Sequence, residues 1–363
     1  MDTPTPSGSV SIERALLNIK PEIRKLAGYS APPQGHVAAK LNQNENPYPL
    51  PEHVKFRILE EMKSLEWGRY PLNISPELTE KIAKKLNVAS DQVLLGNGSN
   101  QLLFEIANCV LSKGDTVLLS PPVFSLNELI VTFAQANIIS VMKKDDMNYD
   151  EPAFLKAAAK AKLTFICSPD NPTGLNVPLA FLEEVLRAAP GLVLWDEAYA
   201  EFTDQTAVPL IEKYPNLLVS RTFSKAYGMA GLRFGYIIAQ KEITAELRKA
   251  NIPYNVNLFT ELAARTLLDE EAWMQNHVGL LIEERNRVFE AMKQIPGIHA
   301  FPSDANFILF EVDEAKKVLK ALQSKGVLIR DMTSYPKLEK GLRVTIGTPE
   351  ENNLFLAALK EVI

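Results

Sequence analysis

After the apolar run Leu217–Val219 the sequence places Thr222, Ser224, Lys225 and Arg233 in one short stretch: hydroxyls, an amine and a guanidinium. A lysine partly shielded from water loses its proton readily, and the free amine can attack an aldehyde to form a Schiff base. Taken alone, a Ser-Lys pair in a loop is solvated surface. Three other apolar runs end in comparable polar clusters. Val93–Leu95 leads into Gly96-Asn97-Gly98-Ser99-Asn100 ahead of the helical stretch Leu102–Leu111, and the free N–H groups of a helix start can bind a phosphate. A tight turn with a Ser or Asn cap is the simpler reading of that segment by itself. Leu163–Cys167 runs into Ser168-Pro169-Asp170-Asn171-Pro172-Thr173-Gly174, whose prolines fix a turn and put the Asn171 amide beyond the strand. Leu192–Trp195 ends at Asp196-Glu197-Ala198-Tyr199. A buried Asp beside a heterocyclic nitrogen keeps that nitrogen protonated, and an Asp capping the next helix is the equal alternative.

The elements that carry these clusters read as α/β. From about Gln92 to Ala239, short apolar runs alternate with polar or Gly/Pro turns and stretches of helical period, as parallel α/β units do. The remaining runs are Thr116–Leu119, Ile138–Met142 and Phe234–Ile238. Several lack polar alternation, the mark of strands covered on both faces. Glu242 to about Leu268 reads as helical, and Trp273–Lys293 as a long amphipathic helix ahead of shorter strand-like runs. In open α/β sheets ligands bind beyond the carboxyl ends of the strands, which is where all four clusters fall.

Composition narrows the possible partners. The 363 residues are 46% hydrophobic and 23% charged, a globular profile long enough for a large domain and a smaller one. A net charge of −5 without a long basic run argues against nucleic acid and for small molecules. Cys109 and Cys167 each sit in an apolar stretch and are expected to be buried, reduced thiols. The four histidines have no metal-ligand spacing, so no metal is assigned. Met1–Ser11 has neither the basic start nor the apolar segment of a signal peptide or membrane anchor, so a cytoplasmic protein is expected.

One cofactor accounts for the ordered set. The Gly96–Asn100 segment comes close to a dinucleotide fingerprint, but Gln101 replaces its third glycine, and Asp115 precedes its strand instead of ending it. A single phosphate site remains. Pyridoxal 5′-phosphate (PLP) needs a phosphate cradle, an aldehyde-binding lysine, an acid for its ring nitrogen and hydrogen bonds to its 3′-oxygen. The four strand ends supply each.

These segments, with Leu41-Asn42-Gln43-Asn44-Glu45-Asn46-Pro47 and Arg69-Tyr70-Pro71, resemble the fold-type I PLP-dependent aminotransferases, and among them the histidinol-phosphate aminotransferases, over roughly Tyr29 to the C-terminus. The resemblance implies a large domain with a mixed, mostly parallel sheet flanked by helices (residues 41–262), a smaller α+β domain (263–363), and an N-terminal arm (1–40) packing with the small domain. It implies that Lys225 forms the internal aldimine, that Thr222, Ser224, Arg233 and amides at Ser99 and Asn100 hold the phosphate, and that Asp196 pairs with the pyridine nitrogen. Asn171 and Tyr199 would bind the 3′-oxygen, and Phe124 would stack on the ring. Tyr70 matches a tyrosine that reaches the neighbouring subunit's cofactor, which implies a homodimer. Tyr29, Asn171, Arg330 and Arg343 would contact substrate, the two guanidinium groups alternately holding the glutamate carboxylate and the phosphate of histidinol phosphate. The implied reaction interconverts histidinol phosphate plus 2-oxoglutarate with imidazole-acetol phosphate plus glutamate, in histidine biosynthesis, by a ping-pong route.

The chain departs from the family pattern at Phe124, where a tyrosine is usual, at Asn127, where another aromatic is common, and at Leu72, where an acid is frequent. Loss of a phenol near the substrate favours an apolar aromatic donor. An aromatic amino-acid aminotransferase and a PLP-dependent decarboxylase of a phosphorylated amino acid are therefore the alternatives within the fold. A PLP-binding regulator would need a DNA-binding module, for which the residues before Tyr29 are too few.

Overall fold

The computed structural model describes residues 11–26 and 37–363; Tyr29 lies outside the described residues. Seven strands form the main sheet: Val93–Gly96 (β1), Thr116–Leu119 (β2), Asn137–Ser140 (β3), Leu163–Cys167 (β4), Leu192–Asp196 (β5), Leu217–Thr222 (β6) and Gly235–Ile238 (β7). Their order is β1-β7-β6-β5-β4-β2-β3. All neighbours run parallel except β7, which is antiparallel to both β1 and β6. The cause is the β6–β7 connection, residues 223–234, which holds turns and no crossover helix, so the chain returns antiparallel. The carboxyl ends of β1, β4, β5 and β6 and the amino end of β7 therefore meet along one edge.

Along each central strand the side chains alternate between two cores. Val193, Trp195, Leu217 and Val219 pack on one face, and Leu194 and Leu218 on the other. Both faces are covered, which explains the uninterrupted apolar runs. The outer strand β3 ends at Ser140, two residues short of the predicted Met142. Its partner runs into Pro121-Pro122, which have no N–H to extend the ladder.

A second sheet is antiparallel: Ile298–Ala300 (β8), Phe307–Val312 (β9), Arg330–Asp331 (β10) and Gly341–Thr345 (β11), in the order β10-β11-β9-β8. The long helix is Glu271–Lys293. Upstream, the single helical stretch expected from Glu242 to Leu268 is two helices, Lys241–Arg248 and Leu258–Leu267. Pro253 interrupts between them, and the Asn251 and Asn255 amides both donate to the Leu95 carbonyl, fastening the break to the end of β1. The N-terminal arm divides its contacts. Ala39–Lys40 pairs in parallel with Val327–Leu328, whereas the helix Pro21–Lys25 lies against the helix Ser125–Phe133. Cys167 is buried but Cys109 is exposed, contrary to expectation. On the helix Ser99–Val110 the buried stripe is Leu102, Leu103, Ile106 and Ala107, and Cys109 falls on the other face. Among the described residues no helix is long and apolar enough to cross a membrane.

At the edge where the strands meet, β7 passes so close to that helix's first turn that only glycine fits. A Cβ on Gly235 would lie 2.4 Å from the Ser99 nitrogen and 2.9 Å from the Arg221 carbonyl oxygen. Both are backbone atoms and cannot rotate away. Gly235→Ala is expected to lower stability by about 1–3 kcal/mol, read as a lower urea midpoint; an unchanged midpoint would contradict this packing.

Candidate active site

The strand ends enclose a cavity of about 420 Å³ between the two sheets. Ser99, Asn100, Phe124, Asn171, Asp196, Tyr199, Thr222, Ser224, Lys225, Arg233, Arg330 and Arg343 all line it. Tyr70 does not: it is 82% exposed and stacks on Tyr254 with ring centroids 4.6 Å apart.

One corner is built for an anion. The helix Ser99–Val110 begins at Gly98 without a side-chain cap, so the expected Ser or Asn cap is not made and its first N–H groups point free. Gly98 has φ +77, and a Cβ there would sit 2.6 Å from Arg233 Nη2, so the guanidinium lies directly against the turn. Arg233 Nη1 donates to Ser224 Oγ (3.2 Å) and to the Ala230 carbonyl (3.0 Å), and Thr222 Oγ1 lies 3.0 Å from Ser224 Oγ. Gln101, standing where a dinucleotide site has glycine, instead accepts from the Asn97 N–H at 2.6 Å and steadies the loop. Hydroxyls, a guanidinium and a helix start together suit one phosphate.

Lys225 lines the cavity, and its amine donates to the Gln43 carbonyl at 3.0 Å. Burial lowers its pKa from 10.5 to about 7, Arg343 and Arg233 push the same way, and Glu45 and Asp196 oppose them. Asp196 shows the mirror effect: burial, helped by Glu197, raises its carboxyl to about 6 against the pull of the nearby Ser220 hydroxyl, the Ala198 N–H and Lys225. Its Oδ1 is buried without a hydrogen-bond partner among the described residues. A buried, unsatisfied acceptor is costly, and a protonated heterocyclic nitrogen would satisfy it.

Between them lies the phenol of Tyr199, which burial keeps protonated well above its usual range. It receives the Asn44 amide at 2.9 Å and the Asn171 amide at 3.3 Å. Arg343 Nη1 in turn donates to Asn171 Oδ1 at 2.7 Å, and its guanidinium carbon sits 5.0 Å from the Phe307 ring centroid. Asn44 received no role from the sequence. Its backbone N–H donates to Thr345 Oγ1 at 2.9 Å, its Oδ1 accepts from that hydroxyl at 3.1 Å, and its carbonyl accepts from Asn306 at 3.2 Å. Its left-handed φ of +54, tolerable for asparagine, lets one residue tie the 41–46 segment to Tyr199 and the second sheet.

Arg330 lies directly across the β10–β11 ladder from Arg343. Like charges in that position repel. Arg330 does not pair with its neighbour Asp331: Asp331 Oδ1 accepts from the Thr333 N–H at 2.8 Å, and Arg330 has no ion pair among the described residues. Tyr335, from the loop after β10, lines the cavity beside these arginines and was missed because nothing in its local sequence marks it.

Residues 38–359 match the family described as aminotransferase class I and II. The chain belongs to that family. It is thus a PLP-dependent transaminase, and the donor set above fits that cofactor. It is 36% identical over 347 residues to the histidinol-phosphate aminotransferase of Chlorobaculum tepidum, covering 95% of this chain and 100% of that one. The corresponding enzyme of Ruminiclostridium cellulolyticum is 35% identical, covering 94% and 97%. The fold superposes with a TM-score of 0.86 on histidinol-phosphate aminotransferase from Sinorhizobium meliloti in complex with pyridoxal-5′-phosphate, at 25% identity, over 95% of this chain and 97% of that one.

An amine reacts only when unprotonated, so a pKa lowered to about 7 moves its reactive range down from 10.5. In the apo-protein, covalent capture of the PLP aldehyde by Lys225 should accelerate as pH rises through about 7 and level off above it. Stopped-flow absorbance checks this, and a rate still climbing towards pH 10 would show an ordinary, solvated lysine.

Proposed function

We propose that this aminotransferase interconverts histidinol phosphate plus 2-oxoglutarate with imidazole-acetol phosphate plus glutamate, in histidine biosynthesis. The observation that carries the reading is the Arg330–Arg343 pair, two arginines directly across one ladder that both line the cavity, with no ion pair to Arg330 among the described residues. Such a pair calls for an anion from the substrate, and a guanidinium fork suits both a phosphate and the second carboxylate of glutamate. The names of the relatives support the same donor.

PLP, when bound, supplies an electrophilic aldehyde and a ring that takes up electrons from the substrate's α-carbon. The chain's residues do the rest. Ser99, Asn100, Thr222, Ser224 and Arg233 would hold the phosphate, Asp196 would keep the ring nitrogen protonated, and Phe124 would cover one ring face. Asn171 and Tyr199 would donate to the 3′-oxygen. The neutral Lys225 amine would anchor the cofactor and, once displaced by substrate, carry the proton from the α-carbon. Arg343, held by Asn171, and Arg330 would alternately hold the glutamate carboxylate and the phosphate of histidinol phosphate, with Tyr29 as a further substrate contact. Because one site serves donor and acceptor in turn, the kinetics are ping-pong.

The exposed apolar side chains Phe56, Leu59, Trp67, Tyr70 and Leu72 support a homodimer in which Tyr70 reaches the second subunit's phosphate. A cytoplasmic location suits such an enzyme. Residues 41–262 and 263–363, with the arm of residues 1–40, are proposed as its domains.

Phe124, lining the cavity without a phenol, favours a second reading, an aromatic amino-acid aminotransferase; a decarboxylase of threonine phosphate is the other. Purified enzyme assayed on histidinol phosphate, phenylalanine and threonine phosphate, with and without 2-oxoglutarate, separates the three, and absence of glutamate from histidinol phosphate would refute the proposal. Lys225→Ala should fold yet lose both turnover and the absorbance of the covalently held cofactor. Arg330→Ala should lower kcat/KM for histidinol phosphate on the order of 10- to 100-fold, the loss of about 1.5–3 kcal/mol for a charged hydrogen bond, while leaving the cofactor spectrum intact.

A further inference from the structure

We propose that Lys143 is a positioning residue that locks together the two loops flanking the cofactor site, one bearing Phe124 and the other Asn171. The need for it starts in the sequence. Pro121-Pro122 ends the β2–β3 ladder because neither residue has an N–H, and the chain around them is left with carbonyls that strand pairing no longer serves. Lys143 is 1% exposed, and its ammonium donates to the Ser120 carbonyl at 2.6 Å and the Pro122 carbonyl at 2.9 Å. Its backbone N–H takes the Pro121 carbonyl at 2.9 Å.

The same ammonium reaches the neighbouring loop. It lies 3.3 Å from Asp170 Oδ1, with both side chains essentially sealed from water, and 4.7 Å from the Tyr149 ring centroid. Asp170 is rigid in its own right. Its other oxygen accepts from Thr173 Oγ1 at 2.8 Å, and its backbone bonds Leu175 and Gly174 at 2.8 and 2.7 Å. The next residue is Asn171, whose amide bridges Tyr199 and Arg343. On the other side Pro122 is two residues from Phe124, whose carbonyl accepts from the Asn127 N–H as the helix Ser125–Phe133 begins. One buried cation thus sets the spacing between a ring-covering aromatic and a polar-edge amide. A hydrophobic residue of the same length would fill the space but leave two carbonyls without a donor and the buried Asp170 carboxylate without its countercharge.

The proposal rests on the reading that Phe124 and Asn171 face the cofactor. The test compares holoenzymes carrying Lys143→Met, Lys143→Met with Asp170→Asn, and Asn171→Ala. The double variant removes both charges and guards against a single variant that does not fold because Asp170 is left unpaired. It should unfold cooperatively and still bind PLP, because the phosphate corner lies apart. Its bound cofactor should lose half or more of its visible circular dichroism, and KM for the amino donor should rise about tenfold with a smaller change in kcat. Normal dichroism and KM in the double variant, with both altered in Asn171→Ala, would overturn the role of Lys143 alone. Unaltered dichroism in Asn171→Ala would overturn the placement of the cofactor and this proposal with it. A double variant that does not fold would assign the pair to stability and overturn positioning.

Discussion

The structure turns on making an amine easy to deprotonate by burying it in a crowd of cations. Lys225 shares its cavity with Arg343, Arg233 and Arg330, and burial together with the first two of these removes its proton near neutrality. The same enclosure pushes the Asp196 carboxyl up, so a potential base and a potential acid are both poised within a unit or so of neutral pH by one cause, exclusion of water. Such an arrangement stores unfavourable energy: a buried Asp196 oxygen without a hydrogen bond, and two arginines directly across the β10–β11 ladder. It persists because the surrounding scaffold is overdetermined, from the glycine-only approach of β7 to the fourfold bonding of Asn44.

Topology explains why groups so far apart in the chain converge. Parallel strands deliver their carboxyl ends to one edge, and the single antiparallel return at β7 brings Arg233 back to the edge that Thr222 has just left. A crossover helix in that connection would have carried Arg233 to the opposite side. The second sheet closes the cavity from above with Arg330, Arg343 and Tyr335, and the 41–46 segment stitches the two sheets together.

What could be read from the residues follows from this geometry. Each cluster directly after an apolar run was legible, because strand ends are local signals and the fold rule says where they point. Asn44, Lys143 and Tyr335 were not. The partners of Asn44 include Thr345, 301 residues away, and those of Lys143 lie 21 to 27 residues back or ahead on other loops, so neither leaves a spacing pattern. Lys143 also defies composition, since a lysine after a strand is ordinarily solvated. The misplaced burial of Cys109 and the broken helix after β7 have a common origin: apolar content marked the stretch, but which face turned inward, and where a proline cut it, depended on neighbours.

The two arginines on the second sheet are held very differently. Arg343 is tethered to Asn171 and to the Asn42 carbonyl, whereas Arg330 meets no countercharge within the described chain. Position 330 can therefore drift without loosening the scaffold, and position 343 cannot. Divergence in what such enzymes accept should begin at the untethered guanidinium and the loop that follows it, leaving the machinery that grips the coenzyme untouched.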